Sequence, residues 1–121
     1  MANKKTLVLG ASDNPSRYSY LAVNALQSKG HSVIAIGKRS GKVGEVSIET
    51  APRHIDNLDT VTLYLNAGNQ QQYYPYILSM HPKRIIFNPG AENDELAAMA
   101  TQHGILPQEA CTLVLLSTGQ Y

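Results

Sequence analysis

Short runs of branched apolar residues alternate along this chain with longer stretches whose apolar positions recur at helical spacing. Residues 6–9, Thr-Leu-Val-Leu, have the length and branching of a buried strand, and Leu21, Ala22, Ala25 and Leu26 then mark one face of a helix that stops at Gly30. Residues 31–36 read as a second strand with Val33, Ile34 and Ile36 as its core, 60–65 as a third and 83–87 as a fourth, and Ile105 and Leu106 open a short fifth. Between the second and third strands lies a basic, glycine-punctuated loop from Gly37 to Lys42. Residues 43–53 follow as an irregular or weakly extended stretch in which Pro52 bars a regular helix, and 55–58 fit a single helical turn.

Two further helices are predicted. One spans about 70–80 and buries Tyr73, Tyr76, Ile77 and Met80, with Pro75 making its first turn irregular or delaying its start; the other spans 94–103 and is closed by Gly104. The apolar run 111–116 is short enough to be a strand or a helix, and the helix is preferred. Such alternation predicts an α/β fold: one doubly wound domain over residues 1–121, with a mostly parallel five-stranded sheet and helices on both faces. Right-handed crossovers favour the strand order 3-2-1-4-5. That order sets the first and fourth strands side by side, so that loops 10–20 and 88–93 meet at the topological switch point where open sheets bind ligands.

The first of those loops carries the candidate chemistry. An apolar run ends at Gly10 and gives way to small, polar, turn-forming residues before the helix, an arrangement that aims unpaired N–H groups at a space suited to phosphate. A dinucleotide fingerprint would need glycine where this chain has Ser12 and Pro15, and no Gly-Lys-Ser or Gly-Lys-Thr follows Gly10 to make a P-loop. What remains is a loop with hydroxyls at Ser12, Ser16 and Ser19 and a guanidinium at Arg17 able to grip phosphate bidentately.

Composition narrows the partners. The 121 residues carry a formal net charge of +1 with 16% charged positions and no run of like charges, so there is no electrostatic footprint for nucleic acid or an anionic membrane surface. One cysteine, Cys111, cannot form an internal disulfide, no apolar signal follows Met1, and no apolar stretch approaches membrane-spanning length; a cytoplasmic protein is expected. His31, His54, His81 and His103 are scattered without ligand spacing, so no metal site is expected. Cys111 lacks a local low-pKa signature and reads as structural, and the tyrosines at 73, 74 and 76 read as packing rather than a base-stacking platform.

The run 9–19, Leu-Gly-Ala-Ser-Asp-Asn-Pro-Ser-Arg-Tyr-Ser, taken with Val43-Gly44-Glu45, Asn88-Pro89-Gly90 and the tail Ala110-Cys111-Thr112-Leu113-Val114, resembles the small single-domain CoA-binding protein family. That family's Rossmann-like domain is similar to the CoA-binding domain of the succinyl-CoA synthetase α subunit, and the resemblance covers nearly the whole chain. It implies that Gly10, Ala11 and Ser12 meet the CoA phosphates with Asn14, Ser16 and Arg17 nearby, and that Ile36 and Gly37 flank the adenosine portion. Where the family often has Asn-Pro-Lys, this chain has Gly37-Lys38-Arg39, so Arg39 occupies the lysine position. Leu65, Asn66 and Ala67 match the segment that lines the pantetheine side, and Asn88, Pro89 and Gly90 match the loop closing over it.

The resemblance imports no catalysis, because the phosphorylated histidine of the synthetases lies in a separate domain, and no catalytic residue is assigned. The expected function is noncatalytic binding of CoA or an acyl-CoA. The alternative is a small NAD(P)- or acyl-CoA-dependent enzyme, and Ser12 discriminates between them, since its side chain crowds a dinucleotide pyrophosphate yet can donate a hydroxyl to CoA. Leu113, Val114, Leu115 and Leu116 point in different directions if helical, so one domain face buries only some of them, and a homodimer through this segment or the fifth strand is expected.

Overall fold

The alternating pattern folds as a seven-stranded sheet between two helical layers. In the computed structural model, which describes residues 3–121, the strands are β1 (Thr6–Leu9), β2 (Val33–Ile36), β3 (Gly41–Val43), β4 (Val46–Glu49), β5 (Thr60–Leu63), β6 (Arg84–Phe87) and β7 (Leu106–Glu109), in the order β3-β4-β2-β1-β5-β6-β7. All neighbours are parallel except β3 and β4. The helices are α1 (Tyr18–Ser28), α2 (Ala67–Gln70), α3 (Tyr74–Ser79), α4 (Asp94–Gln102) and α5 (Thr112–Ser117), with a 3-10 turn at Gln71–Tyr73 between α2 and α3. Pro75 sits in the first turn of α3, where its missing N–H costs nothing, and so splits the predicted 70–80 helix at its start.

Strand alternation sorts the core into two layers. Leu7 and Leu9 face one side with Ile77 and Leu78 of α3 and Leu96 and Ala100 of α4; Val8 and Ala35 face the other with Val23 and Leu26 of α1 and Leu116 of α5. Because β1, β5 and β6 are covered on both faces, every residue in them is buried. In β2 the buried pair is Ala35 and Ile36, while Val33 and Ile34 are half-buried. The run 111–116 is helical from Thr112; it buries Leu115 and Leu116 and leaves Val114 exposed. No helix among the described residues is long and apolar enough to cross a membrane.

The strand order corrects the expected 3-2-1-4-5. Residues 41–49, read as loop and irregular chain, form a β-hairpin whose second strand, β4, lies parallel to β2 through Ala35 opposite Ile48 and Ile36 opposite Glu49. The predicted third strand therefore becomes β5, on the far side of β1, and separates β1 from β6. Each strand of the hairpin has three or four residues and no helix intervenes, so periodicity had too little length to register it. At the other edge, Leu106 and Ala110 donate to Lys83 and Phe87, which turns Pro107 outward.

The N-terminal end of the sheet holds a buried cation. Arg84 is 8% exposed; its Nε donates to Thr60 Oγ1 at 3.0 Å, its Nη1 to Gln108 Oε1 at 3.2 Å, and its guanidinium carbon lies 4.4 Å from the centroid of the Tyr121 ring. Tyr121 is fastened by its hydroxyl, 2.6 Å from Thr6 Oγ1, and by Lys4 Nζ on its carbonyl oxygen. His31 packs on the same ring and its Nδ1 accepts the Lys4 N–H at 2.9 Å, which places the proton of the neutral imidazole on Nε2. Burial first, then the neighbouring Lys4 and Arg84 charges, push the His31 pKa below its ordinary 6.5.

The sign follows from that depression. Above pH 6.5 His31 is neutral in both folded and unfolded chains; below it the unfolded chain takes up a proton that the folded one refuses, so stability falls as pH drops from 6.5 toward the folded value. We predict that denaturant midpoints compared at about pH 7.5 and about pH 5 will show a smaller acid loss for His31→Gln than for the unaltered protein. Equal losses would remove His31 as the cause.

Candidate functional site

At the C-terminal end of the sheet the loops after β1, β2, β5 and β6 enclose an open cleft of about 700 Å3. Its floor is set by backbone contacts alone. The Ile36 carbonyl accepts both the Gly10 N–H at 2.9 Å and the Ala11 N–H at 3.0 Å, joining the ends of β1 and β2. Gly37 lies so close beneath that a Cβ there would stand 2.2 Å from the Ala11 carbonyl oxygen. Gly10 has φ +89°, and a Cβ on it would meet the Tyr64 carbonyl oxygen at 2.8 Å. Both glycines thus serve the approach of one loop to another. The loop amides left for a ligand begin after Ala11.

Beyond Ala11 the chain folds on itself and then enters α1. Ser12 Oγ accepts the Asn14 N–H at 3.1 Å, and Asn14 Oδ1 accepts both the N–H and the hydroxyl of Ser16, at 3.0 and 2.8 Å. The Ser16 hydroxyl is thereby turned into the loop and does not line the cleft, whereas the Ser12 hydroxyl keeps its proton to donate. The residue before α1, Arg17, offers no side-chain cap, so the first-turn N–H groups of Tyr18, Ser19 and Tyr20 stay open beside the cleft, where Tyr18 and Ser19 form part of the wall. Arg17, Lys38 and Arg39 line the same end, and among the described residues none of the three forms an ion pair. Among the described residues Asp13 is the single carboxylate in the lining, packed where a Cβ on Gly41 would stand 2.6 Å from its Oδ2.

Among the described residues the opposite end carries no charged side chain. Its walls are Tyr64, Leu65, Asn66, Asn69, Gln72 and Tyr73 on one side and Pro89, Gly90 and Ala91 on the other. The Tyr64 hydroxyl is buried without a hydrogen-bond partner among the described residues, and burial pushes its pKa up, so it stays neutral. Asn66 caps α2 by accepting the Asn69 N–H at 2.9 Å.

Of the residues expected at a ligand, the cleft is lined by Gly10, Ala11, Ser12, Asn14, Arg17, Gly37, Lys38, Arg39, Leu65, Asn66, Pro89 and Gly90. Ser16, Ile36, Ala67 and Asn88 stand outside its lining. Ile36 has its side chain wholly in the core and faces the site only through the carbonyl already described. Asn88 is buried: its Nδ2 donates to Thr62 Oγ1 at 2.7 Å and to the Leu63 carbonyl at 2.9 Å, while its Oδ1 accepts the Thr112 N–H at 2.9 Å and so caps α5 in place of Cys111, which offers none. It holds the loop up from behind. Asp13, Tyr18, Ser19, Tyr64, Asn69, Gln72, Tyr73 and Ala91 also line the cleft; Asn69 and Gln72 follow Asn66 at three-residue spacing, a helical signal present in the sequence. No cluster of three or more His, Cys, Asp or Glu side chains that would hold a metal occurs among the described residues.

Comparison with known proteins agrees with this architecture. A family model described as a CoA binding domain matches residues 4–117. A solved structure titled as an uncharacterized protein is 49% identical, with each chain covered over 100% of its length and a TM-score of 0.97. A hypothetical protein from Pyrococcus horikoshii OT3 is 19% identical at a TM-score of 0.86, over 96% of this chain and 83% of that one. A dinucleotide forming acetyl-coenzyme A synthetase from Ca. Korarchaeum cryptofilum, in complex with phosphate and ADP, is 17% identical at a TM-score of 0.69, over 87% of this chain and 25% of that one. No curated protein matches the chain.

The packing of the floor sets an ordering of glycine variants. Gly37→Ala should lose roughly 3 kcal/mol of unfolding free energy, the upper end of overpacking costs, because two backbones must part. Gly68→Ala should gain up to about 1 kcal/mol, since a Cβ there meets nothing nearer than Asn66 Oδ1 at 3.6 Å and stiffens a helical position. Urea unfolding of both variants checks the order.

Proposed function

Because this chain belongs to the CoA binding domain family, we propose that it is a noncatalytic binding protein for CoA or an acyl-CoA, with the phosphates held by the loop after β1. The observation that carries the reading is the division of the cleft: Arg17, Lys38 and Arg39, none of them in an ion pair among the described residues, outnumber the one carboxylate, Asp13, at one end, and neutral side chains line the other. CoA has the same division, a polyphosphorylated nucleotide joined to a long uncharged arm. The open first turn of α1 and the Ser12 and Asp13 N–H groups add donors at the phosphate end. The noncatalytic part of the reading is supported by a lining in which a lone carboxylate, Asp13, stands without histidine or cysteine among the described residues.

Isothermal titration with CoA and with NAD tests the assignment. CoA should bind more tightly, and tighter binding of NAD would sink it. Within the same experiment Arg17→Ala should weaken CoA binding by about 1 to 3 kcal/mol through loss of a charge-assisted bond, and more so at low salt. An unchanged affinity would take Arg17 out of the site.

A further inference from the structure

Gln70 is fully buried, and its side chain reaches across the back of the cleft. Its Nε2 donates one proton to the Leu65 carbonyl, in the segment after β5, and the other to the Ala91 carbonyl, in the segment after β6, each at 2.8 Å. Its Oε1 accepts from Asn93 Nδ2 at 2.9 Å; the same Asn93 nitrogen donates to the Tyr74 hydroxyl at 2.7 Å, and Asn93 Oδ1 caps α4 by accepting the Leu96 N–H at 3.2 Å. The orientation of both amides is determined by these partners, since each NH2 faces oxygens that can only accept or, for tyrosine, do accept. Leu65 and Ala91 belong to opposite walls of the uncharged end of the cleft. No other side chain among the described residues hydrogen-bonds to both walls.

We propose that Gln70 is the positioning residue that sets the width of this end of the cleft, clamping the wall after β5 to the wall after β6 so that the uncharged arm of the ligand meets a preformed slot. The proposal rests on the reading of the cleft as a CoA site, but the clamp itself exists without ligand. Its physical basis is that a buried amide with all its donors and its acceptor engaged admits one separation of the two carbonyls, and any other leaves polar groups unpaired away from water. The phosphate end, on loops 10–17 and 37–39, has no bond to Gln70 and should not feel the clamp. Its loss therefore separates from a general loss of binding.

The test uses Gln70→Glu, which keeps the shape and the acceptor but sets a carboxyl oxygen against the Leu65 and Ala91 carbonyl oxygens, so that at most one of the two donations survives, and neither when the carboxyl is ionised. In the ligand-free protein, amide hydrogen exchange should quicken at 65–67 and at Gly90 and Ala91 and stay unchanged in β1 and α1; unchanged exchange in both walls overturns the clamp whether or not any ligand binds. By titration the variant should bind CoA about tenfold more weakly, equivalent to about 1.4 kcal/mol, and bind adenosine 3′,5′-diphosphate, a fragment without the arm, as the unaltered protein does. Loss of affinity for both ligands alike, or for neither, overturns the positioning role. If Gln70→Glu fails to fold, Tyr74→Phe loosens the same network from its rim, and the same exchange pattern and ligand selectivity, at about twofold to threefold, decide the matter. Failure of the unaltered protein to bind CoA would instead overturn the functional reading and leave the exchange result to judge the clamp.

Discussion

One carbonyl oxygen governs the ligand end of this sheet. Ile36 accepts two successive N–H groups from the end of β1, and with Gly37 pressed against the Ala11 carbonyl the first two parallel strands are joined by main chain alone. Side chains enter only where this junction ends. The loop carrying Ser12 and Arg17 and the loop carrying Lys38 and Arg39 then line the same mouth. A glycine-containing strand-to-helix loop invites the view that the glycine admits a phosphate; here the space a Cβ would take at Gly10 is already filled by the Tyr64 backbone. Gly10 shapes the cleft indirectly, through the close approach of the two loops that it permits.

The two ends of the cleft are built on different physics. Arg17, Lys38 and Arg39 are exposed, act over distances that salt screens, and need only approximate placement. The neutral end depends on Gln70, Asn93 and Asn88, which are buried and hydrogen-bonded to carbonyls, amides and hydroxyls at fixed separations. Loop 88–93 is anchored at Asn88, Ala91 and Asn93, so Pro89 and Gly90 project between tethers. Electrostatic attraction at one end thus works beside shape at the other, a combination suited to a ligand that is anionic and long.

Much of this was readable from residue order alone. The apolar run 6–9, the stops at Gly30 and Gly104 and the Pro75 break all mark local preferences that the fold keeps, and most of the residues expected around a ligand do line one cleft. Strand order was less legible, because the hairpin at 41–49 is stabilised by pairing to β2 and not by any pattern of its own. Ser16 and Asn88 show a second limit. A polar residue in a ligand loop has the same letter whether it faces outward or, like Asn88, turns inward to cap a helix twenty-four residues on. Gln70 escaped notice for the same reason: glutamine in a helical stretch reads as surface, and only the two carbonyls brought to it by β5 and β6 make it interior.

The outward turn of Pro107 bears on how copies of this protein coexist at high concentration. A free strand edge invites another chain to continue the ladder, and β7 is such an edge. With Pro107 and Glu109 facing out, one of the two positions that would donate to an incoming strand has no proton to give, and the other brings a carboxylate to the approach. At the opposite margin β3 is only three residues long and carries Lys42. The sheet is chemically terminated at both rims, and self-association by edge-to-edge growth, the route toward fibrous aggregates, is discouraged by residues that take no part in the cleft.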